Sequence, residues 1–183
     1  MFTPHHIKAA IVQKLSDLEP TTVVSIYART IRPWFAFTSE AKLYNQLPGT
    51  WNDASVDFTL LAFIILLFNT SSQLSERRYT FHSDTMIMYL SSKSWLALLE
   101  GAGLNSINLV NSRLLITLFE VVHGCYPAAY LSIAATVRAA DALSIYNTED
   151  ASLSHSSYMI NNKQREEITE LWCGIMILDR CVT

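Results

Sequence analysis

The sequence predicts an all-α protein, an irregular bundle of about six to seven helices, and three observations carry that prediction. Apolar residues recur at spacings of three and four along most of the chain, which is the period of one helix face. No stretch sustains the period-two alternation of a half-buried strand. The punctuation is also helical, with Pro20 and Pro33 at the ends of segments, Pro127 in a first turn, and glycine just past the ends.

The first helix is expected over "HIKAAIVQKLSDLEP", where Ile7, Ile11, Leu15 and Leu18 share a face and Pro20 stops it. The next, "TTVVSIYARTIRPWF", takes Thr21 or Thr22 as its N-cap and ends or breaks at Pro33. Residues 36–55 carry Pro48, Gly49, Asn52 and Asp53 and are expected to be irregular. From Val56 to Phe68 the residues are almost uniformly apolar, which predicts a helix at the centre of the core. The polar segment "NTSSQLSERRY" reads as an exposed loop. Ser83 or Asp84 then caps a helix running to Glu100, with Met86, Leu90, Ser94 and Leu98 on one face and Gly101 and Gly103 at its end. Ile107, Val110, Leu114, Leu118 and Val121 mark a further helix that stops at Gly124. Pro127 opens a segment rich in alanine and serine, whose small side chains permit close helix approach. "NTEDASLSHSSYMINN" reads as a polar loop before a last helix over about 163–180.

A chain of 183 residues suits a single domain, and residues 1–183 are read as one. Half of the residues are hydrophobic and 16% are charged, against a usual charged share of about a quarter, so apolar surface is expected to be covered by a partner. The net charge of −3 supplies no drive toward nucleic acid, whose binding depends on lysine and arginine neutralising phosphates; no direct nucleic-acid contact by this chain is expected. The longest apolar run, residues 58–68, falls well short of the roughly 20 residues of a membrane span. The first twenty residues show no basic start leading into an apolar stretch, so no export signal is expected. Cys125, Cys173 and Cys181 are odd in number and widely spaced, which argues against a disulfide framework or a zinc site and fits a reducing compartment.

No catalytic arrangement is complete in the sequence. Glu120 and His123 fall on one helical face as a di-iron bundle requires, but the second such motif and the additional inward glutamates are missing. His123 and Cys125 are close in sequence, which does not supply the geometry or activation of a nucleophile and its base. His5 and His6 are adjacent, so their rings cannot readily face one metal from a helix. The chain has five glycines and no phosphate-cradling loop motif. The serines at 152, 154, 156 and 157, beside His155, read as a plain solvated linker, with phosphorylation as the alternative. No enzyme, cofactor or metal site is expected.

Three segments, in order, resemble the fungal-specific transcription factor domain, the middle homology region of fungal zinc-cluster regulators. "LWCGIMILDR" at 171–180 is similar to that family's helix in which tryptophan precedes apolar residues and a closing Leu-Asp-Arg, here with Trp172, Asp179 and Arg180. "LLITLFEVVHGCYPAAYLSIAATVRAADALSI" at 114–145 resembles the preceding pair of helices and bears Arg138. "YARTIRPWFAFTSEAKLYNQL" at 27–47 resembles the family's stretch around Pro33, Trp34 and Phe35. The family's six-cysteine zinc cluster does not occur in this sequence, Thr169 and Glu170 stand where relatives often carry a basic pair, and relatives continue past the Asp-Arg into further helices. The resemblance therefore implies a truncated regulatory domain without its DNA-binding module.

That resemblance implies a transcription regulator-like protein of the nucleus, or otherwise the cytoplasm, influencing a metabolic or secondary-metabolite gene cluster. Its means would be protein contacts, with a full-length regulator or by self-association. Two alternatives stay open: a helical module that senses a small-molecule effector, and a non-functional fragment of a longer zinc-cluster regulator. Trp95, Tyr126, Tyr130 and Trp172 are the candidate lining of an effector pocket. Ile168, Leu171, Trp172, Ile175 and Leu178 form a stripe on the last helix, beside which ionic residues need partners; Arg138 is the candidate partner of Asp179.

Overall fold

The computed structural model describes residues 3–73, 83–150 and 158–182, and every regular element among them is α-helical. There are eight such helices: α1 (Pro4–Leu15), α2 (Pro20–Thr30), α3 (Glu40–Asn45), α4 (Val56–Gln73), α5 (Ser83–Gly101), α6 (Ile107–Val122), α7 (Tyr126–Asp150) and α8 (Tyr158–Val182). They group into two compact units, α1–α5 ending at Leu104 and α6–α8 beginning at Asn105.

In the first unit α4 is the centre, packed by α1, α2 and α5. Phe58 to Ile65 are buried without interruption, because an apolar helix has no polar side to turn outward. Its one hydroxyl in that run, Thr59, donates to the Val56 carbonyl at 2.8 Å. Against it α1 sets Ile7, Ile11 and Leu15, the expected stripe, while α2 buries Val23, Ile26 and Tyr27.

Several boundaries differ from expectation, among them the end of α4, which runs on to Gln73 and takes in the start of the segment read as a loop. Pro20 does not stop the first helix, which has already ended at Leu15; it opens α2, where a missing N–H is no loss. Glu19, not Thr21 or Thr22, therefore holds the N-cap position. The expected irregular stretch 36–55 contains the short α3, whose first turn is closed by Ser39 Oγ accepting the Lys42 N–H at 3.2 Å. The face of α5 is also different. Leu90, Ser94 and Leu98 are exposed and Met86 half-buried, while Thr85, Tyr89, Ser92, Leu96 and Leu99 face inward. Ser92 can go in because its hydroxyl donates to the Met88 carbonyl at 2.8 Å, leaving a small side chain with no unmet need.

In the second unit α6 packs on α7 and α8, and α7 on α8. Ser106 caps α6 by accepting the Leu109 N–H. Three buried hydroxyls on α6 and α7, those of Ser112, Thr117 and Thr136, each donate to the carbonyl four residues earlier. Ala129, Ser132, Ile133, Thr136 and Ala140 are the buried side of α7, which bears out the reading of a small-residue helix. On α8, Leu171, Ile175 and Leu178 are buried while Ile168 and Trp172 are half-buried. Of the loop expected over "NTEDASLSHSSYMINN", the described residues 147–150 and 158–162 are helical, since α7 reaches Asp150 and α8 begins at Tyr158. Its four serines lie outside the described residues.

Both α5 and α6 end at a glycine that leaves the right-handed helix, Gly103 at φ 82° and Gly124 at φ 71°. Around Gly124 the Cys125 N–H donates to the Glu120 carbonyl at 2.7 Å and the Gly124 N–H to the Val121 carbonyl at 3.1 Å, the paired bonds of a Schellman end. A Cβ at Gly124 would meet nothing within 4 Å, so alanine there pays only for the left-handed backbone. Gly124→Ala is expected to destabilise the second unit by about 1–2 kcal/mol, read as a lower urea midpoint at unchanged slope. An unaltered midpoint would show that the end of α6 rearranges freely.

Candidate functional site

The resemblance-derived residues are placed in very different settings. Pro33, Trp34 and Phe35 follow α2 in a tight turn in which the Trp34 and Phe35 N–H groups both donate to the Ile31 carbonyl, at 3.0 and 2.8 Å. Ile31, Phe35 and Phe37 are buried, and Trp34 is 86% exposed. The turn divides the three signature residues: Phe35 anchors the segment, Pro33 shapes it, and Trp34 is displayed.

The segment from Ile31 to Ser39 is fastened along its length. Tyr27 O–H donates to the Thr38 carbonyl at 2.6 Å, and the Tyr27 ring meets Phe37 edge-on at 5.1 Å. An ion pair between Arg32 and Glu40 ties the beginning of the loop to the first turn of α3. Behind it, Arg29 Nη2 donates to Asn69 Oδ1 on α4 at 2.8 Å. Trp51, buried in the segment after α3, donates its indole N–H to the Leu18 carbonyl at 2.6 Å, and Lys8 Nζ donates to the neighbouring Asn52 carbonyl. Neither clasp was foreseen, because each joins residues far apart in sequence. The only local sign was a tryptophan set among turn formers.

Arg138 is exposed on α7, whereas on α8 Asp179 is half-buried and Arg180 exposed in the last turn. A cation in that turn complements the partial negative charge of the helix end. Of the four aromatics expected to line an effector pocket, Trp95 lies in the first unit, edge-on to Phe63 at 5.1 Å. The other three belong to the second: Tyr126 and Tyr130, one turn apart on α7 and 53% and 59% exposed, and the half-buried Trp172.

Glu120 is fully buried and His123 closes α6. His123 Nδ1 lies 2.7 Å from the Phe119 carbonyl, which can only accept, so that nitrogen carries the proton. The imidazole is tilted over the Phe119 ring at 4.0 Å, and Cys125 Sγ contacts the His123 carbonyl at 3.9 Å. His5 and His6 are exposed, with the Thr3 N–H donating to His6 Nδ1 at the start of α1. Among the described residues no three His, Cys, Asp or Glu side chains gather as metal ligands, and no helix is long and apolar enough to cross a membrane. The three cysteines are free thiols.

The chain is similar to a fungal transcription factor. It is 27% identical over 143 residues to Transcription factor BOA15 of Botryotinia fuckeliana, a match covering 78% of this chain and 75% of that protein. The relative is thus a chain of comparable length. No family model matches the sequence, and no solved structure matches the fold.

Proposed function

We propose that this chain is a transcription regulator-like protein that acts in the nucleus through protein contacts and does not hold DNA itself. We further propose that it influences expression of a metabolic or secondary-metabolite gene cluster, as the resemblance of its three segments implies. The observation that carries the regulatory reading is the similarity to a transcription factor across most of the chain. Two physical features support contact with protein in preference to nucleic acid. Lysine and arginine number 13 against 16 aspartates and glutamates, so few phosphates could be neutralised without repulsion from the rest of the surface. Large apolar side chains stand in water in both units: Ile87, Leu90 and Leu98 along α5, and Met176 and Ile177 on α8. Ile87 and Leu90 lie one turn apart on α5, and exposed apolar patches mark sites of association.

The test has two arms. Fused to an unrelated DNA-binding module at a reporter promoter, the chain is expected to raise or lower output relative to the module alone. In a gel-shift titration at physiological salt, the isolated chain is expected to leave duplex DNA unretarded. An unchanged reporter would overturn the regulatory reading, and tight DNA binding by the chain alone would overturn the mechanism by protein contact.

A further inference from the structure

In the whole sequence Ser16 alone among the serines and threonines has carboxylates at both the first and the third position after it, Asp17 and Glu19. The fold sets this pattern in an accessible place. Ser16 is the C-cap of α1, and the short turn from there to Glu19 leads into α2. Ser16, Asp17 and Glu19 are all exposed, while Leu18 between them is half-buried. The Ser16 hydroxyl donates to the Gln13 carbonyl at 3.0 Å, a bond that an exposed group exchanges for another at little net cost. Glu19 holds the N-cap position of α2, yet its side chain makes no capping bond there.

A kinase tells one hydroxyl from another largely by the charges that flank it, since a cationic cleft draws acidic neighbours and sets the acceptor in register. We propose that Ser16 is a phosphorylation site for a serine kinase that selects acidic sequences, and that the phosphate loosens the turn between α1 and α2. The inference goes beyond the regulatory reading and does not rest on it. In the transfer, Ser16 Oγ attacks the γ-phosphorus of the kinase-bound nucleoside triphosphate. The bond from that phosphorus to the bridging oxygen breaks, the diphosphate leaves with the electron pair, and the hydroxyl proton passes to the kinase's base.

The product places a charge of about −1.5 to −2 where a neutral hydroxyl stood. That charge lies at the C-terminal end of α1, whose last carbonyls carry partial negative charge and repel anions. The esterified oxygen has no proton left for the Gln13 carbonyl, and Asp17 Oδ1, 3.4 Å from Ser16 Oγ, adds a second like charge. Lys14 in the last turn of α1 offsets only part of this. The residues on either side anchor the turn: Leu15 is fully buried, the Leu18 N–H donates to its carbonyl at 2.9 Å, and the Leu18 carbonyl receives the Trp51 indole N–H. Repulsion at Ser16 therefore acts on the segment that holds the Trp51 clasp.

The native chain, incubated with casein kinase II, magnesium and ATP and then digested and mapped by mass spectrometry, tests the site. Phosphate is expected on the peptide bearing Ser16 and is expected to be missing from that peptide in Ser16→Ala. Glu19→Gln keeps the shape and removes the charge, and is expected to slow labelling of Ser16 by about tenfold. A kinase that selects basic sequences is expected to leave Ser16 unlabelled. No phosphate on Ser16, equal labelling of Glu19→Gln, or equal labelling by the basic-selective kinase overturns the assignment. The phosphorylated chain is expected to melt a few degrees below the unmodified one and to exchange its Leu18 amide faster. An unchanged midpoint and exchange rate would overturn the loosening of the turn.

Discussion

Phe119→Ala is expected to destabilise the second unit by about 3–5 kcal/mol, the usual loss for deleting a buried aromatic ring. Phe119 is fully buried on α6, the helix whose flanks both α7 and α8 occupy. The substitution removes the ring and leaves a void that neighbouring helices can close only partly, because a packed interior deforms little. It also takes away the surface over which His123 lies at 4.0 Å, although the Phe119 carbonyl that receives the His123 backbone and ring N–H groups remains. Urea unfolding followed by circular dichroism reads the loss, and hydrogen exchange should place it in α6–α8. A change below about 1 kcal/mol would be that of a surface site, and would refute a central position for this ring.

Trp51→Ala carries a similar expected loss in the first unit, about 3–5 kcal/mol. Two contributions are separable there. The buried indole fills space beside the segment between α3 and α4, and its N–H satisfies the Leu18 carbonyl at the turn between α1 and α2. Trp51→Phe keeps most of the apolar volume and removes the donor, so it is expected to cost only about 0.5–1.5 kcal/mol. Equal losses from the two variants would put the whole effect in the hydrogen bond and reject the packing role. Trp51 and the Trp34 loop belong to the same unit, and the exposed Trp34 is expected to be dispensable for its stability.

The two tryptophans show how residue type alone leaves the role undecided. Both are large and amphipathic and both sit near turn formers. One is buried with its N–H bonded, and the other stands in water on a fastened loop. The signature Pro33-Trp34-Phe35 was visible as a string, yet its division into an anchor and a displayed ring depends on where the Ile31 carbonyl and the Tyr27 hydroxyl fall.

What the amino-acid sequence determined by itself was what local chemistry enforces. An unbroken apolar run such as 58–65 has no polar face and must be enclosed, and the all-helical class follows from the spacing of apolar residues. Glycine at 103 and 124 marked helix ends because other residues are strained at positive φ. Tertiary structure decided the cases in which local rules allow two answers. Proline can follow one helix or open the next, and only packing showed that Pro20 opens α2. The α5 segment offers two stripes at helical spacing, and Tyr89, Ser92 and Leu96 face inward because α4 lies on that side. Burial, and with it the display of Trp34, depends on partners distant in sequence, which no local pattern specifies.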